Sequence, residues 1–281
     1  NDYWNIISCR WRLDSAVTKF LKDINLKGKT ALITGATKGL GRGTAIAVAQ
    51  AGGNIIAIGR NQLELNTLEK TIKKLKVKYK SFNCDVNDYD KMKSFITNLK
   101  NLDILVNNAG TNIPEAFLNV KKTSLDTILN VNTKAVFNIA QLCANQIIKL
   151  KKKKASIINI SSIFGLVAGQ KRTVYSMTKF GVEGLTKGMA LDLAKYNIRV
   201  NSVCPNIVLT PRTKKYFNDK VYNKYVKEST PLNKVVKVSD VATAVTFLAS
   251  EASSMITGTS LIIDGGWTAK WKFYSYFLFS F

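Results

Sequence analysis

The strongest constraint on the fold is an alternation of short apolar runs with helical patterns that begins at Lys29. Such alternation is typical of a parallel β-sheet whose crossover connections are helices. Several runs are continuously apolar, as strands are when helices cover both faces of a sheet. The predicted strands are Thr30–Thr34, Asn54–Ile58, Tyr79–Asn83, Leu102–Val106, Ser156–Ile160, Arg199–Val203 and Ser260–Ile263, and the predicted helices cover roughly 40–51, 62–75, 88–99, 123–149, 175–195 and 239–250.

This order predicts an α/β fold, a single doubly wound Rossmann domain with a seven-stranded parallel sheet and helices on both faces. We place the domain at residues 26–268, between an N-terminal extension (1–25) and an aromatic C-terminal tail (269–281) that we expect to cover a subunit interface. Residues 206–238 are polar, carry two prolines and fit the alternation poorly. We expect this segment to form a lid over the substrate.

The residue types present restrict the chemistry. The chain has no histidine, and its four cysteines are widely spaced. A Ser-His-Asp triad is therefore excluded, and neither a disulfide framework nor a metal site is predicted. Acid–base chemistry near neutral pH must use Tyr, Lys, Asp, Glu or Cys. No apolar run reaches the roughly 20 residues that cross a bilayer, so no membrane partner is expected.

The formal net charge of +24 favours anionic partners, nucleic acid among them. The lysines, however, are scattered through helical segments, and only Lys151–Lys154 forms a run. Because no basic stripe is interleaved with aromatic residues, we interpret the charge as a solvated surface and predict no nucleic-acid partner. A nucleic-acid-binding protein is the alternative, and it predicts an affinity that falls steeply with salt.

A glycine-rich turn follows the first predicted strand, where the sequence from Thr34 to Gly41 reads TGATKGLG before an apolar helical pattern. Glycines allow the backbone to approach a pyrophosphate, and a helix N-terminus attracts its charge. The spacing is GxxxGxG, and its place between a strand and a helix indicates a dinucleotide site. The residues assigned to it are Gly35, Thr37, Lys38, Gly39, Leu40 and Gly41.

The second strand is followed by Arg60, where proteins that bind NAD have an acidic residue for the ribose 2′-hydroxyl. A basic residue there accommodates a 2′-phosphate, and Lys38 in the glycine loop can face the same group. The alternative is that both are solvated surface charges. The sequence therefore predicts NADP as the cofactor, with NAD possible.

Tyr175 and Lys179 are four residues apart at the start of a predicted helix, so their side chains share one face. A nearby ammonium group favours the phenolate and is expected to lower the tyrosine pKa from about 10. Ser162 follows the strand Ser156–Ile160, which places its hydroxyl group at the sheet edge where such folds bind ligands. These three residues predict proton transfer without histidine.

Further motifs occur in a fixed order around these residues. TGxxxGxG, Asn107-Asn108-Ala109-Gly110, Asn132, Ser162, YxxxK and a late Asp264-Gly265-Gly266 follow one another along the chain. Over roughly residues 26–267, the sequence therefore resembles the short-chain dehydrogenase/reductase family. The resemblance implies an enzyme that moves a hydride between a nicotinamide cofactor and a carbonyl/alcohol pair.

The resemblance also implies roles for four catalytic residues. Tyr175 would be the general acid in reduction and the general base in oxidation. Lys179 would hold the nicotinamide ribose and lower the pKa of the tyrosine. Ser162 would stabilise charge on the carbonyl oxygen, and Asn132 would hold a water that links Lys179 to solvent.

The same resemblance extends the cofactor site. Asp85 and Val86 would meet the adenine. The other positions assigned to the cofactor are Asn108, Ala109, Gly110, Tyr175, Lys179, Pro205, Val208 and Thr210. The family usually has glycine after the proline where this chain has Asn206; if that glycine has a positive φ angle, asparagine is its least costly replacement. A homotetramer is implied, with the helices at 123–149 and 175–195 in its interfaces.

Together these inferences predict a cytoplasmic, NADP(H)-preferring oxidoreductase for a small polar ketone or secondary alcohol, such as a hydroxy acid, a sugar or a sugar acid. Lys171, Arg172 and the basic lid would attract a carboxylate or phosphate, or would simply be solvated. The first alternative is reduction of a 3-oxoacyl group on acyl carrier protein. The second is a non-catalytic protein that senses NADPH, against which the complete Asn-Ser-Tyr-Lys set argues.

Overall fold

The computed structural model describes residues 23–269. At its centre lies a seven-stranded sheet in which all strands are parallel. Its strands are β1 (Thr30–Thr34), β2 (Asn54–Gly59), β3 (Tyr79–Asn83), β4 (Ile104–Asn107), β5 (Ala155–Ile160), β6 (Ile198–Pro205) and β9 (Ser260–Ile263), and a separate pair is formed by β7 (Val208–Leu209) and β8 (Val236–Lys237). The strand order is β3-β2-β1-β4-β5-β6-β9. The predicted doubly wound α/β fold is confirmed, with each strand within two residues of its predicted limits.

Helices cover both faces of this sheet. They are α1 (Gly39–Gln50), α2 (Gln62–Lys73), α3 (Tyr89–Thr97), α4 (Lys122–Leu129), α5 (Ala135–Lys149), α6 (Thr173–Leu193), α7 (Lys214–Phe217), α8 (Lys220–Ser229) and α9 (Val238–Ala249). One core lies under α1, α2 and α9, and a second under α3, α5 and the end of α6. Because side chains alternate across a strand, β1 contributes Ile33 to the first core and Leu32 to the second.

The central strands are buried and the edge strand is not. Every residue of β1 and of β5 is buried, whereas no residue of β3 is fully buried at its edge of the sheet. At the amino ends of the strands, Asp103 accepts a hydrogen bond from the Thr30 amide at 2.9 Å and pairs with Lys152 at 2.9 Å. At the carboxyl ends, β1 lies between β2 and β4, which opens the crevice where such sheets bind ligands.

The helical stretch predicted at 123–149 is confirmed, but its middle is not α-helical. A π-helical turn at Asn130–Lys134 separates α4 from α5. At its centre the Asn132 side chain is fully buried and bonds to the backbone of Thr111, 21 residues earlier. That tertiary contact holds the extra residue of the wider turn, a feature that often occurs at functional sites.

The segment predicted as a lid, 206–238, has its own secondary structure. It contains the short helices α7 and α8, and Asp219 caps α8 by accepting the amide hydrogen of Val221 at 2.8 Å. The two ends of the segment pair in parallel, with Val208 opposite Val236. Sequence reasoning did not predict the β7–β8 pair. The function of the segment as a lid stays a prediction.

Two other predictions concern the ends of the chain and the membrane. The N-terminal extension and the aromatic tail lie almost wholly outside the described residues, so their boundaries stay predictions. Within residues 23–269, no helix is long and apolar enough to cross a membrane.

Candidate active site

The glycine loop between β1 and α1 has the backbone that a bound pyrophosphate requires. Gly35 and Gly39 have left-handed φ angles of 65° and 54°, which favour glycine. A Cβ atom on Gly41 would overlap the Gly35 carbonyl oxygen and the Asn108 amide group. The first turn of α1 has no side-chain cap and no acidic residue, so no side chain compensates the free amide groups at this helix end. An anion fits this cradle.

A threonine fastens this loop to the segment that follows β4. The Thr34 hydroxyl oxygen accepts hydrogen bonds from the amides of Asn108 and Ala109, both at 3.0 Å. In return, Asn108 Nδ2 donates to the carbonyl oxygens of Thr34 at 2.8 Å and Gly35 at 3.2 Å. In the sequence, Thr34 was recognised as the end of a strand and the first residue of the TGxxxGxG motif, but no contact was assigned to it. Its position directly before the first loop glycine was the available signal.

The two cations predicted to meet a 2′-phosphate lie near the carboxyl ends of β1 and β2. The Thr37 side chain lies over Gly59, which brings the glycine loop against the end of β2 beside Arg60. Arg60 pairs with Asp85 at 3.3 Å, and Lys38 pairs with Glu64 at 3.5 Å. Exposed ion pairs of this kind contribute little energy, so both cations can exchange their partners for a phosphate.

Ser162, Tyr175 and Lys179 meet where β5 ends and α6 begins. Lys179 is buried; its Nζ atom donates to the Ile160 carbonyl oxygen at 2.8 Å and lies 5.7 Å from the centre of the Tyr175 ring. The Ser162 hydroxyl accepts the Phe164 amide hydrogen at 3.2 Å, which leaves its own hydrogen free to donate. The Phe164 ring packs edge-on against Tyr175.

The pKa values of this cluster are set mainly by burial. Burial raises the pKa of Tyr175 above its ordinary 10, and the Ser162 hydroxyl, Arg212 and Arg172 counteract part of that rise. Burial also lowers the pKa of Lys179 to about 8. The expected lowering of the tyrosine pKa by Lys179 is therefore wrong for this structure. Desolvation dominates, and the Lys179 ammonium group points to a backbone carbonyl rather than to the phenol.

Asn132 connects the loop after β4 with the helix that carries Tyr175. Its Oδ1 atom accepts the Thr111 amide hydrogen at 2.8 Å, and its Nδ2 atom donates to Thr111 O at 2.9 Å and Thr178 Oγ1 at 3.2 Å. A Cβ atom on Gly110 would lie 3.5 Å from Asn132 Oδ1 and 3.9 Å from Lys179 Nζ. Asn132, Gly110 and Lys179 thus form one cluster, in which Thr111 was missed from the sequence.

The remaining predicted positions border the same crevice or its adenine end. Pro205 ends β6, Val208 is buried in β7, and the Thr210 side chain would lie 3.5 Å from a Cβ atom on Gly39. Val86 packs against the second core behind Asp85, whose Oδ1 atom accepts the Asn87 amide hydrogen at 2.9 Å. The structure brings the predicted residues to one edge of the sheet, from β3 to β6.

Asn206 is the exception to the expected geometry. It does not have a left-handed backbone, so the condition under which asparagine would replace a left-handed glycine is not met here. Instead its side chain is buried and its Oδ1 atom accepts the Ile207 amide hydrogen at 2.8 Å. That local hydrogen bond satisfies the backbone at the point where the chain leaves β6 for the lid segment.

Known proteins share this architecture. A family model described as enoyl-(acyl carrier protein) reductase matches residues 35–268. The chain is 36% identical to L-xylulose reductase of Mus musculus over 88% of its own length and 99% of that protein. It is 36% identical to 3-oxoacyl-(acyl-carrier-protein) reductase of Thermotoga maritima over 86% of its own length and 99% of the relative.

The solved structure of a gluconate 5-dehydrogenase from Burkholderia cenocepacia, in complex with NADP and tartrate, superimposes with a TM-score of 0.85 at 30% identity. The match covers 89% of this chain and 99% of that one. Fold, motif order and relatives agree over nearly the whole described length. The chain belongs to the short-chain dehydrogenase/reductase family of oxidoreductases.

Proposed function

We propose that this protein is an NADP(H)-preferring oxidoreductase that interconverts a ketone and a secondary alcohol, with Ser162, Tyr175 and Lys179 as its catalytic residues. The observation that carries the proposal is that Ser162 hydrogen-bonds to Tyr175, that Lys179 lies against the Tyr175 ring, and that this cluster lies at the carboxyl end of β5 beside Gly110. Reductases and dehydrogenases among its relatives support the same reaction class.

Tyr175 moves the proton in the proposed mechanism. The cofactor, when bound, supplies the hydride in reduction and receives it in oxidation. Tyr175 donates its phenolic proton to the substrate oxygen in reduction and takes it back in oxidation. Because burial raises its pKa, the phenol is protonated at neutral pH, which suits the reductive direction. Ser162 donates a hydrogen bond to the same oxygen and stabilises the negative charge that develops there.

Lys179 and Asn132 support that proton transfer. Lys179 lies beside Gly110, where its ammonium group can hold a ribose hydroxyl of the cofactor. Its pKa of about 8 also lets it exchange a proton near neutral pH. Asn132 holds the π-helical turn against Thr111 and would position a water between Lys179 and solvent.

The rest of the cofactor is assigned to the residues along the crevice. The loop glycines would hold the pyrophosphate, Arg60 and Lys38 the 2′-phosphate, and Asp85 with Val86 the adenine. The nicotinamide end is assigned to Asn108, Ala109, Gly110, Pro205, Val208 and Thr210. The steric requirement at Gly41 and the NADP bound to the related gluconate 5-dehydrogenase support this assignment. NAD is the second possible cofactor.

Two arginines favour an acidic substrate within the class of hydroxy acids, sugars and sugar acids. Arg172 lies three residues before Tyr175, and Arg212 of the lid segment donates to the Asn112 carbonyl oxygen at 3.1 Å. In the described part of the chain, neither guanidinium group has a carboxylate within 4.0 Å. Burial raises the pKa of Tyr175 and both arginines oppose the rise, so their fields reach the phenol. A substrate carboxylate would complete this arrangement.

Reduction of 3-oxoacyl groups on acyl carrier protein is the second candidate. The Thermotoga maritima relative carries that name, and the matching family model is also described by a reaction of carrier-protein substrates. A protein that only senses NADPH is the candidate from another class. The retained Ser162–Tyr175–Lys179 cluster argues against it, because binding alone does not require a proton donor.

The first test is a titration of the protein with NADPH and with NADH, in which binding is measured by the change in nucleotide fluorescence. The next is NADPH oxidation with a keto sugar acid, a neutral ketose and an acetoacetyl thioester. We expect tighter binding of NADPH and the fastest turnover on the keto acid. Tighter NADH binding would overturn the cofactor preference. Thioester preference would favour the second candidate, and binding without any turnover would favour the sensor.

Variants of the two arginines test the substrate class. Arg212→Ala and Arg172→Ala should raise the KM for the keto acid and leave the KM for the neutral ketose unchanged. Lys214→Ala, an exposed residue of the same lid segment, is the matched control. An equal effect on both substrates would show that the arginines do not recognise a carboxylate.

A homotetramer and a cytoplasmic location complete the proposal. Large apolar side chains of α6 are exposed, including Phe180 and Leu191, which supports an interface on this helix. The cysteines of the described residues, Cys84, Cys143 and Cys204, are unpaired, as is usual in a reducing compartment. Light scattering on the purified protein tests the tetramer, and a monomer would contradict it.

A further inference from the structure

A buried carboxylate lies one helical turn beyond Lys179. Glu183 of α6 has a relative exposure of only 7%. Its Oε2 atom accepts hydrogen bonds from the hydroxyl groups of Ser202, at 2.8 Å, and Ser260. Its Oε1 atom accepts one from the Cys204 thiol at 3.4 Å. None of the site assignments made from the sequence uses this residue.

The three donors form a matched set on two neighbouring strands. Ser202 and Ser260 are direct partners in the β6–β9 register, and Cys204 lies two residues along β6, on the same face as Ser202. An ionised carboxylate only accepts hydrogen bonds, whereas hydroxyl and thiol groups can donate. Three donors around one carboxyl group therefore suit the charged form of Glu183, and such bonds are stronger than neutral ones.

Lys179 is the only buried cation on the same face of α6. Residues four apart on a helix lie one above the other, so Glu183 and Lys179 are neighbours along that face. The Lys179 ammonium group donates to one backbone carbonyl and has no carboxylate within 4.0 Å in the described residues. A buried charge without a counter-charge is costly, and Glu183 supplies the nearest compensation along the helix.

We infer that Glu183 is a positioning residue that keeps Lys179 in its ammonium form and holds this turn of α6 against β6 and β9. The inference rests on the role proposed for Lys179 in cofactor binding. It assigns the Glu183–Ser202–Ser260 cluster to the support of the active site rather than to packing alone.

The electrostatic balance at Lys179 supports this role. Burial lowers the pKa of Lys179 to about 8, and two groups oppose the fall, Cys204 and Glu183. Burial also raises the pKa of Cys204 to about 12, so its thiol is neutral while Lys179 titrates. Of the two opposing groups, Glu183 is therefore the one whose hydrogen-bond donors suit the charged form. Tyr175, the other titratable group close to Lys179, is also neutral in that range.

The test measures the titration of Lys179 directly by NMR of protein labelled with carbon-13 at the lysine ε-carbon. The Lys179 signal is identified by its loss in Lys179→Met. In Glu183→Gln we expect its midpoint to fall by about half a pH unit or more, because a negative charge has been removed nearby. Ser260→Ala removes one hydrogen bond but keeps the charge, and should leave the midpoint where it is in the wild type.

The outcomes separate the proposed role from a purely structural one. A Lys179 midpoint that is unchanged in Glu183→Gln would overturn the inference, as would an equal shift in Ser260→Ala. If Glu183→Gln does not fold, Glu183→Asp takes its place. That variant keeps the charge but moves it away by one methylene group, so a smaller downward shift supports the inference and none contradicts it.

This experiment needs neither cofactor nor substrate, so it is independent of the proposed reaction. If the protein binds NADPH, a second experiment measures the affinity for NADPH at increasing pH. We expect the alkaline loss of affinity to begin at lower pH in Glu183→Gln than in Ser260→Ala. If the protein binds no nucleotide, the proposed function fails. The effect of Glu183 on the Lys179 midpoint is then still decided by the NMR titration.

Discussion

The ammonium group of Lys179 donates a hydrogen bond to the backbone carbonyl of Ile160 across 2.8 Å. Ile160 is the last residue of β5, and Ser162 follows two residues later. This hydrogen bond therefore holds the first turns of α6 at a set distance from β5, the strand that leads to Ser162. Tyr175, one turn before Lys179, is aligned with Ser162 as a consequence.

The burial of Lys179 predicts a specific dependence of stability on pH. Its pKa falls from 10.5 to about 8 on folding, so the unfolded chain binds more protons between these values. Stability attributable to Lys179 therefore rises with pH in that window and is constant below it. In urea unfolding, the wild type should gain free energy of unfolding relative to Lys179→Met as the pH rises through the window. A difference independent of pH would contradict this.

Tyr175→Phe should abolish turnover and leave NADPH binding nearly intact. Phenylalanine keeps the ring that packs against Phe164 but has no proton to donate. Turnover and nucleotide fluorescence measured on the same preparation check both parts. Tyr196→Phe, at an exposed residue in the turn that follows α6, is the control and should keep full activity. Loss of nucleotide binding in Tyr175→Phe would mean that the helix had been displaced.

Gly41→Ala should disrupt the glycine loop. The added methyl group would overlap the backbone carbonyl of Gly35, which cannot move without displacing the loop. We expect a loss of stability of about 1–3 kcal/mol from overpacking, together with at least a tenfold weaker binding of NADPH. Gly188→Ala, where an added Cβ atom meets nothing within 4 Å, is the matched control. Thermal unfolding and nucleotide titration that fail to separate the two variants would refute the steric argument.

Arg60→Ala should weaken NADPH far more than NADH. If a charge-assisted hydrogen bond to the 2′-phosphate is lost, the cost is about 1–3 kcal/mol for NADPH alone. Titration of both nucleotides gives the ratio of affinities. Lys74→Ala, an exposed lysine at the far end of α2, should leave that ratio unchanged. Equal weakening of both nucleotides would remove Arg60 from the phosphate site.

Asp103→Ala should destabilise the amino edge of the sheet without touching the active site. Asp103 is 5% exposed and serves both the Thr30 amide and Lys152. Leaving the Thr30 amide without its acceptor should cost about 2 kcal/mol of unfolding free energy. Asp126→Ala breaks an exposed ion pair with Lys122 and should change little. Similar denaturation curves for the two variants would argue against the buried network.

Local sequence patterns were sufficient to predict the sheet and to bring most of the candidate site residues to one edge of it. Continuous apolar runs located β1 and β5 because both faces of those strands are covered. The carboxyl ends of neighbouring parallel strands meet at one edge, so Ser162 and the Asn108 segment could be placed near the glycine loop before their contacts were known. Because Tyr175 and Lys179 are four residues apart on a helix, their position on one face likewise follows from the sequence alone.

What the sequence did not predict depends on contacts between distant residues. The π-helical turn is held by Asn132 bonding to Thr111, and no periodicity within 123–149 marks it. The pKa of Tyr175 depends on how deeply the phenol is buried, which outweighs its neighbour in sequence. Glu183 reads as an ordinary helix residue until Ser202 and Ser260 are seen to face it from two strands.

The β7–β8 pair places the two ends of the lid segment side by side. The residues between them, 210–235, therefore leave the rest of the fold and return to it at one place. Closing a longer or shorter excursion from fixed ends changes the entropy only slowly. Insertions or exchanges within this segment should thus spare the register of β6 and β9, so the substrate range can diversify while the candidate catalytic residues Ser162, Tyr175 and Lys179 stay in place.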